Sequence, residues 1–173
     1  MCDNSFTTEN FKFVNYTMLT TEQLRVLLNG RNSPEVRKWM YNPEPISWEE
    51  HLNYVEFLKT RDDRIYWAIF YDNEIIGSEC LNPYEPNTKV GVSGKFLFPE
   101  FQGKGLGVKF TYEFLDYVFS SGIANTIKAE TKITNERNVK INKSIGFVEI
   151  SRNKEYVQLT LTKDRFVNPF LKK

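Results

Sequence analysis

Cysteine is scarce in this chain. Two cysteines in 173 residues, Cys2 near the start and Cys80 inside an apolar stretch, make neither a disulfide framework nor a metal-ligand spacing, so reduced thiols and no metal are expected. Seven prolines and nine glycines are too few for a fibrous or linker-like chain. An excess of either charge is missing too. The 23 Lys and Arg are set against 22 Asp and Glu, a formal net charge of +1, which removes the electrostatic basis for indiscriminate binding to nucleic acid or to an anionic membrane. Long hydrophobic runs are absent: Ile65 to Tyr71 falls far short of the roughly 20 residues that span a bilayer. Met1 to Thr8 lacks the charged-then-apolar pattern of a signal. The expectation is a cytoplasmic protein with no nucleic-acid or membrane partner.

What the chain does contain is the makeup of a globular domain, 40% hydrophobic and 15% aromatic with 26% charged residues. Nothing repeats, and the length suits one core. We expect a single domain over 1–173, with its core at about 9–162 and a tail at 163–173. Phe11 to Met18 reads as a strand. Thr20 or Thr21 caps a helix through Asn29, and Gln23, three residues after Thr20, completes a capping box with it. Ser33-Pro34-Glu35 starts a short helix carrying Val36, Trp39 and Met40. Ser47 with Glu50 is a second capping box, and Leu52, Val55, Phe57 and Leu58 form the apolar face of its helix.

The period then changes from helical to alternating. Ile65 to Tyr71 and Ile75 to Leu81 read as strands joined by a hairpin at Asp72-Asn73. A polar turn is expected at Pro83 to Thr88, then a third strand over Val90 to Phe98. Gly105 to Phe119 is an amphipathic helix with Leu106, Phe110, Phe114, Leu115 and Val118 on one face. A strand over Thr126 to Thr134, a helix over Glu136 to Ser144, and strands at Phe147 to Ile150 and Glu155 to Leu161 follow. This order predicts an α+β domain with one central mixed, mainly antiparallel β-sheet flanked by helices.

The stretch richest in chemistry is Pro99-Glu100-Phe101-Gln102-Gly103-Lys104-Gly105-Leu106-Gly107, between a strand and a helix. Its glycines let successive N–H groups converge at a helix N-terminus, where hydrogen bonds and the helix dipole favour phosphate. It is neither a Rossmann turn, which needs Gly-x-Gly-x-x-Gly, nor a Walker loop, which needs Gly-Lys-Ser/Thr.

Gln102-x-x-Gly105-x-Gly107 resembles the acetyl-CoA signature of the GNAT N-acetyltransferases. Asn135-x-x-Asn138 followed by Ser144-Ile145-Gly146-Phe147 is similar to that family's second cofactor segment. The resemblance covers about residues 9 to 162 and implies a GNAT-like fold with acetyl-CoA as cosubstrate. It also implies that the main chain of Lys95, Phe96 and Leu97 pairs with the pantetheine arm. Gly103, Lys104, Gly105, Leu106, Gly107 and Val108 would hold the pyrophosphate, and Asn135 and Asn138 the rest of the CoA. The front segments Arg31 to Met40 and Ser47 to Leu52 are similar to acetyltransferases acting on the 4-amino group of a nucleotide-linked amino sugar, in pseudaminic-acid-type pathways. RimJ/RimL-like protein N-terminal acetyltransferases and polyamine acetyltransferases share parts of that pattern. The partner implied is a small-molecule amine. A CoA-binding protein without turnover is the reading of another class.

Acetyl transfer to an amine needs a base or water relay and a fixed oxyanion donor. A strand N–H near Leu97 is the donor that the resemblance implies. Glu79, Glu130 and His51 are the candidate bases; their bland alternatives are a solvent-facing Glu79, a Glu130 paired with Lys128 or Lys132, and a helix-capping His51. Many members of the family place a proton-donating Tyr four positions before the Gly-Phe pair, where this chain has Asn142. Asn has no acidic proton, so a water, Tyr84, Tyr112 or solvent is left to protonate the thiolate. On the acceptor side, Arg31 and Asn32 at a helix break suit a diphosphate or hydroxyl-rich ligand, the alternative being an Arg31–Glu35 ion pair. Trp39, Met40 and Tyr84 are further acceptor candidates, while Trp48 reads as core. The apolar residues of the tail Arg165 to Lys173 pack either on this chain's own sheet or on a second copy, as in a homodimer.

Overall fold

The computed structural model describes residues 5–170; Cys2 and the last three residues of the tail lie outside the described residues. Eight strands form one sheet in the order β1-β2-β3-β4-β5-β6-β8-β7. They are β1 (Phe6–Thr7), β2 (Lys12–Asn15), β3 (Ile65–Tyr71), β4 (Glu74–Glu85), β5 (Val90–Leu97), β6 (Thr126–Lys132), β7 (Val148–Arg152) and β8 (Tyr156–Thr162). Five helices accompany them: α1 (Thr21–Asn32), α2 (Pro34–Arg37), α3 (Trp48–Leu58), α4 (Leu106–Ser120) and α5 (Glu136–Ile145). This is the α+β arrangement with a mixed sheet that the period changes predict.

Local chemistry accounts for most boundaries. Both capping boxes form: Thr20 accepts from the Gln23 N–H while Gln23 returns to the Thr20 N–H, and Ser47 and Glu50 do the same. Asp72 and Asn73 take φ of 49° and 66°, the left-handed pair that a two-residue hairpin requires. Their loop joins Tyr71 to Glu74 in register.

Several boundaries differ from expectation: α1 runs on to Asn32 rather than ending at Asn29, and α2 stops at Arg37, before Trp39 and Met40. The first strand stops at Asn15, whose side chain caps a 3-10 turn over Tyr16–Met18. A two-residue strand, Phe6–Thr7, precedes it, and Phe6 stacks on Tyr117 of α4 with centroids 3.7 Å apart. β4 runs through Pro83 to Glu85 where a turn was expected. Its pairing with β5 shifts register between Leu81 and Tyr84, the irregularity that accommodates a proline with no N–H to give.

Alternation sends side chains to two cores. One face carries Phe13, Trp67, Ile69, Ile76, Ile127 and Leu159 against Phe110, Phe114 and Leu115 of α4 and Val139 and Ile145 of α5. The other carries Ala68 and Ile75 against Leu24 and Leu27 of α1 and Val55 and Leu58 of α3. Each such side chain contributes about 1.5–3 kcal/mol by leaving water. Trp48 is half-buried at the second core under the Arg25 guanidinium, 4.1 Å from the ring centroid. Phe166 of the tail packs on Tyr112 and Phe119 of α4 in the same chain. No helix of the described residues is long and apolar enough to cross a membrane.

Candidate active site

The site arises where the sheet splits. β5 and β6 are the parallel pair, in register only from Val90↔Thr126 to Ser93↔Ala129. Beyond that the strands part, leaving main-chain groups of 94–97 and 130–132 facing a gap. A cavity of about 800 Å³ runs through this gap and is lined from both faces of the sheet. On the α4/α5 face its wall includes Lys95, Leu97, Gly107, Asn138, Ile141 and Asn142; on the α1/α3 face it includes Tyr16, Trp39, His51, Tyr66 and Glu130.

The glycine loop closes the α4/α5 end. Gly103 and Gly105 both have φ of 78°, in the left-handed region, and Gly105 is the N-cap of α4 with no side-chain cap. The first N–H groups of α4 are therefore left without a side-chain acceptor, as an anion cradle requires. A Cβ built at Gly103 or Gly105 meets nothing within 4 Å, so the loop has open space in front of it. These features fit the diphosphate of a CoA. Gly103, Gly105, Gly107 and Val108 line the cavity, whereas Leu106 does not and Lys104 points away, its ammonium 5.6 Å over the Phe101 ring.

β5 presents alternate peptides to the gap. The Phe98 N–H donates to the Ile76 carbonyl of β4, so the N–H groups of Leu97 and Lys95, one and three residues away, turn toward the gap. Phe96 lies between them with its peptide facing β4, which narrows the expected trio of pairing residues to two. The Leu97 carbonyl is taken by Gln102 Nε2 at 2.9 Å. Asn135 caps α5 by accepting from the Asn138 N–H, and Asn138 Nδ2 donates to Thr131 Oγ1 at 3.1 Å. Both line the cavity while bracing the start of α5.

The candidate bases occupy three different settings. Glu79 is fully buried behind the wall of the cavity rather than on it, and is not solvent-facing. It sits opposite Lys95 in the β4–β5 register and accepts from Ser93 Oγ at 2.6 Å, with Oε2 unpartnered. Burial pushes its carboxyl up, opposed by the Lys95 charge. Glu130 lines the cavity, yet both oxygens are occupied, by Tyr41 Oη at 2.6 Å and Gln158 Nε2 at 2.8 Å rather than by a lysine. His51 lines the cavity from α3, is buried beside Tyr16 and Trp48, and has Nε2 unpartnered. It does not cap its helix, and burial holds its pKa below the usual histidine value.

Asn142 is 1% exposed, and its Oδ1 accepts from Lys95 Nζ at 3.2 Å. Tyr84 and Tyr112 are elsewhere: Tyr84 donates to the Ile123 carbonyl and Tyr112 to the Ser144 carbonyl, and neither reaches the cavity. This corrects the expectation that Tyr84 touches the acceptor or that either phenol protonates a thiolate there.

The front segment is held by its own hydrogen bonds. Arg31 donates to the carbonyls of Asn42 and Glu44, and Asn32 exchanges two hydrogen bonds with the Ile46 main chain. They form a clasp for the segment that follows α2, Arg31 lines the cavity as well, and Arg31 forms no ion pair with Glu35. The clasp sets Trp39, Met40 and Tyr41 in the cavity wall, where Lys132 Nζ holds the carbonyls of Lys38 and Met40, both at 3.0 Å. Sequence reasoning missed the polar patch of Tyr16, Tyr54, Tyr66, Ser78 and Asn82. Tyr16 Oη lies 2.7 Å from Ser78 Oγ, and Asn82 Nδ2 donates to Tyr66 Oη at 2.8 Å. The available signal was alternation: Ser78, Cys80 and Asn82 share one face of β4 in an otherwise apolar run. Cys80 there has its thiol pushed up to about 12 by burial, which makes it inert. Among the described residues no group of three or more His, Cys, Asp and Glu is placed to hold a metal.

Comparison with known proteins agrees with this architecture. Residues 16–148 match the Acetyltransferase (GNAT) domain. The chain is 26% identical over 150 residues to the acetyltransferase PseH of Campylobacter jejuni subsp. jejuni serotype O:23/36 (strain 81-176), covering 87% of this chain and 92% of that protein. The crystal structure of Campylobacter jejuni PseH in complex with acetyl coenzyme A superposes with a TM-score of 0.72 at 23% identity, over 88% of this chain and 98% of that one. Spermidine N-acetyltransferase from Vibrio cholerae, in complex with CoA and spermine, superposes with a TM-score of 0.80 at 18% identity, over 90% and 97% of the two chains. With its split sheet, glycine cradle and matched domain, the chain belongs to the GNAT family of acetyl-CoA-dependent N-acetyltransferases.

Proposed function

We propose that the amine acetylated here is the amino group of a nucleotide-linked sugar. The observation that carries this is the charge of the cavity. Glu130 is the one carboxylate among the described lining residues, and both its oxygens are occupied, while Arg31, Lys38, Lys132 and Arg137 bring positive charge. A polyamine carries several cations and needs several carboxylates to replace its hydration. An anionic diphosphate is attracted by this lining, and Trp39 and Tyr156 offer flat faces for a sugar or base. The front-segment resemblance to amino-sugar acetyltransferases points the same way, as does the relative named PseH.

In this reading the cradle at Gly103 to Val108 binds the CoA diphosphate and the Lys95 and Leu97 N–H groups fix the acyl end. Acetyl-CoA supplies the activated acetyl group. His51 takes the proton of the attacking nitrogen: burial lowers its pKa and so favours the neutral imidazole, its Nε2 has no partner and the residue lines the cavity, whereas Glu79 is walled off and Glu130 is already engaged. Thiol release measured with a 4-amino sugar nucleotide, with spermidine and with a peptide N-terminus tests the assignment. We expect kcat/KM to favour the sugar nucleotide by about 100-fold or more, the scale on which a site with matched polar groups discriminates. Faster turnover of spermidine or peptide overturns it, and silence with all amines assigns the chain to CoA binding alone.

A further inference from the structure

The reaction expels a thiolate, and the cofactor half of the cavity must deal with it. Tyrosines line the acceptor half, but Tyr84 and Tyr112 are bonded elsewhere. On the α4/α5 face, the lining residues are glycines, apolar side chains, amides, hydroxyls, Lys95 and, at the start of α5, Arg137. A guanidinium does not give up its proton and an aliphatic hydroxyl is too weak an acid, so Lys95 is the side chain among them with a transferable proton.

Its setting is built. The side chain leaves β5 on the α4/α5 face, and Nζ donates to Asn142 Oδ1 at 3.2 Å. Asn142 is 1% exposed and cannot swing to solvent. Directly across the β4–β5 ladder is Glu79, fully buried, with Ser93 on one oxygen and the other unpartnered. Glu79 is the charge that acts on Lys95, α5 contributing only the neutral Asn142. We propose that Lys95 delivers the proton to the departing CoA sulfur, aimed by Asn142 and electrically balanced by Glu79.

The assignment rests on the acetyl transfer to an amine set out above. The nitrogen lone pair forms the new C–N bond and the C–S bond breaks with its pair remaining on sulfur. One ammonium proton of Lys95 moves to that sulfur, giving the CoA thiol and a neutral Lys95 amine. The proton shed by the acceptor nitrogen goes to His51 and then to water, and Lys95 regains one from water, so no proton is gained or lost overall. Burial lowers the Lys95 pKa, against the pull of Glu79, which makes its ammonium a readier proton donor than a lysine in water. Asn142 and Glu79 are positioning residues; Lys95 is the catalytic one.

The test begins without any acceptor. The thiol of bound CoA is titrated by its thiolate ultraviolet absorbance in the parent and in Lys95→Gln. A cation beside the sulfur should lower the bound thiol pKa by about one unit from its free value near 8.5, and Lys95→Gln should return it. In turnover, Lys95→Gln should lose about 100-fold or more in kcat with CoA affinity nearly unchanged. The double variant Glu79→Gln/Lys95→Gln separates proton donation from charge balance. It should stay slow, although its buried pair is neutral and its fold is secured, as thermal melting would confirm. Parental rates in the double variant, or a bound-thiol pKa indifferent to Lys95, overturn the proposal. A parent that turns over no amine sinks the function proposed above, while the thiol titration still decides whether Lys95 lies at the sulfur.

Discussion

Gly105 offers a measurement in which backbone strain and charge separate. Its φ of 78° is left-handed, so any side chain costs at most about 1–2 kcal/mol, less for Asn and Asp, which tolerate that region. A Cβ there meets nothing within 4 Å, so no packing term is added. Gly105→Asn and Gly105→Asp therefore share one strain and differ by one charge. At roughly 6 Å from a diphosphate, with an effective dielectric of about 20, a unit charge pair is worth about 3 kcal/mol. Gly105 is exposed, so solvent screening reduces this to about 1–1.5 kcal/mol, or roughly tenfold in Kd. Calorimetric titration with CoA at low salt should show the Asp variant about tenfold weaker than the Asn variant. The difference should close as ionic strength rises, and their melting temperatures should agree. Equal affinities for the two variants at low salt would refute the cradle as the diphosphate site.

The other expectations concern stability. Burial depresses the His51 pKa below the usual histidine value of about 6.5, so the unfolded chain takes up that proton first. The associated stability is present above about pH 6.5 and is lost as pH falls toward the folded value. Urea midpoints should fall between about pH 7 and 5, and His51→Gln should flatten that slope; an unchanged slope means that His51 is not buried neutral. Gly30 on α1 packs on β5's end: a Cβ would fall 2.0 Å from Phe98 Cε1. Gly30→Ala should therefore cost about 1–3 kcal/mol by overpacking, and a melting temperature equal to the parent's would contradict this packing.

Local rules made much of the chain legible. The capping boxes at Thr20 and Ser47 and the hairpin at Asp72-Asn73 form as read, because each closes its hydrogen bonds within four residues. Phe6–Thr7 was not legible, since a two-residue strand has no period and is held by Phe13 and Tyr117 from distant segments. Arg31 was legible as a residue with work to do but not as a clasp, because its acceptors are backbone carbonyls, which every residue carries.

The sequence by itself determined the α+β order, the glycine cradle at the start of α4 and the family, since all of these are written in residue type at fixed short spacing. Tertiary structure alone decided which candidates reach the cavity. Glu79, His51 and Tyr84 look alike on paper as polar residues near the motifs. Sheet alternation then puts Glu79 behind the wall against Lys95, the packing of α3 sets His51 in the wall of the cavity, and Tyr84 is carried to the far end of β4 to meet Ile123. The gap has the same origin, because nothing in the residue types of β5 and β6 announces that pairing stops at Ser93 and Ala129. Which main-chain groups remain unpaired depends on how two strands diverge across the whole sheet, and that is a long-range property no local spacing encodes.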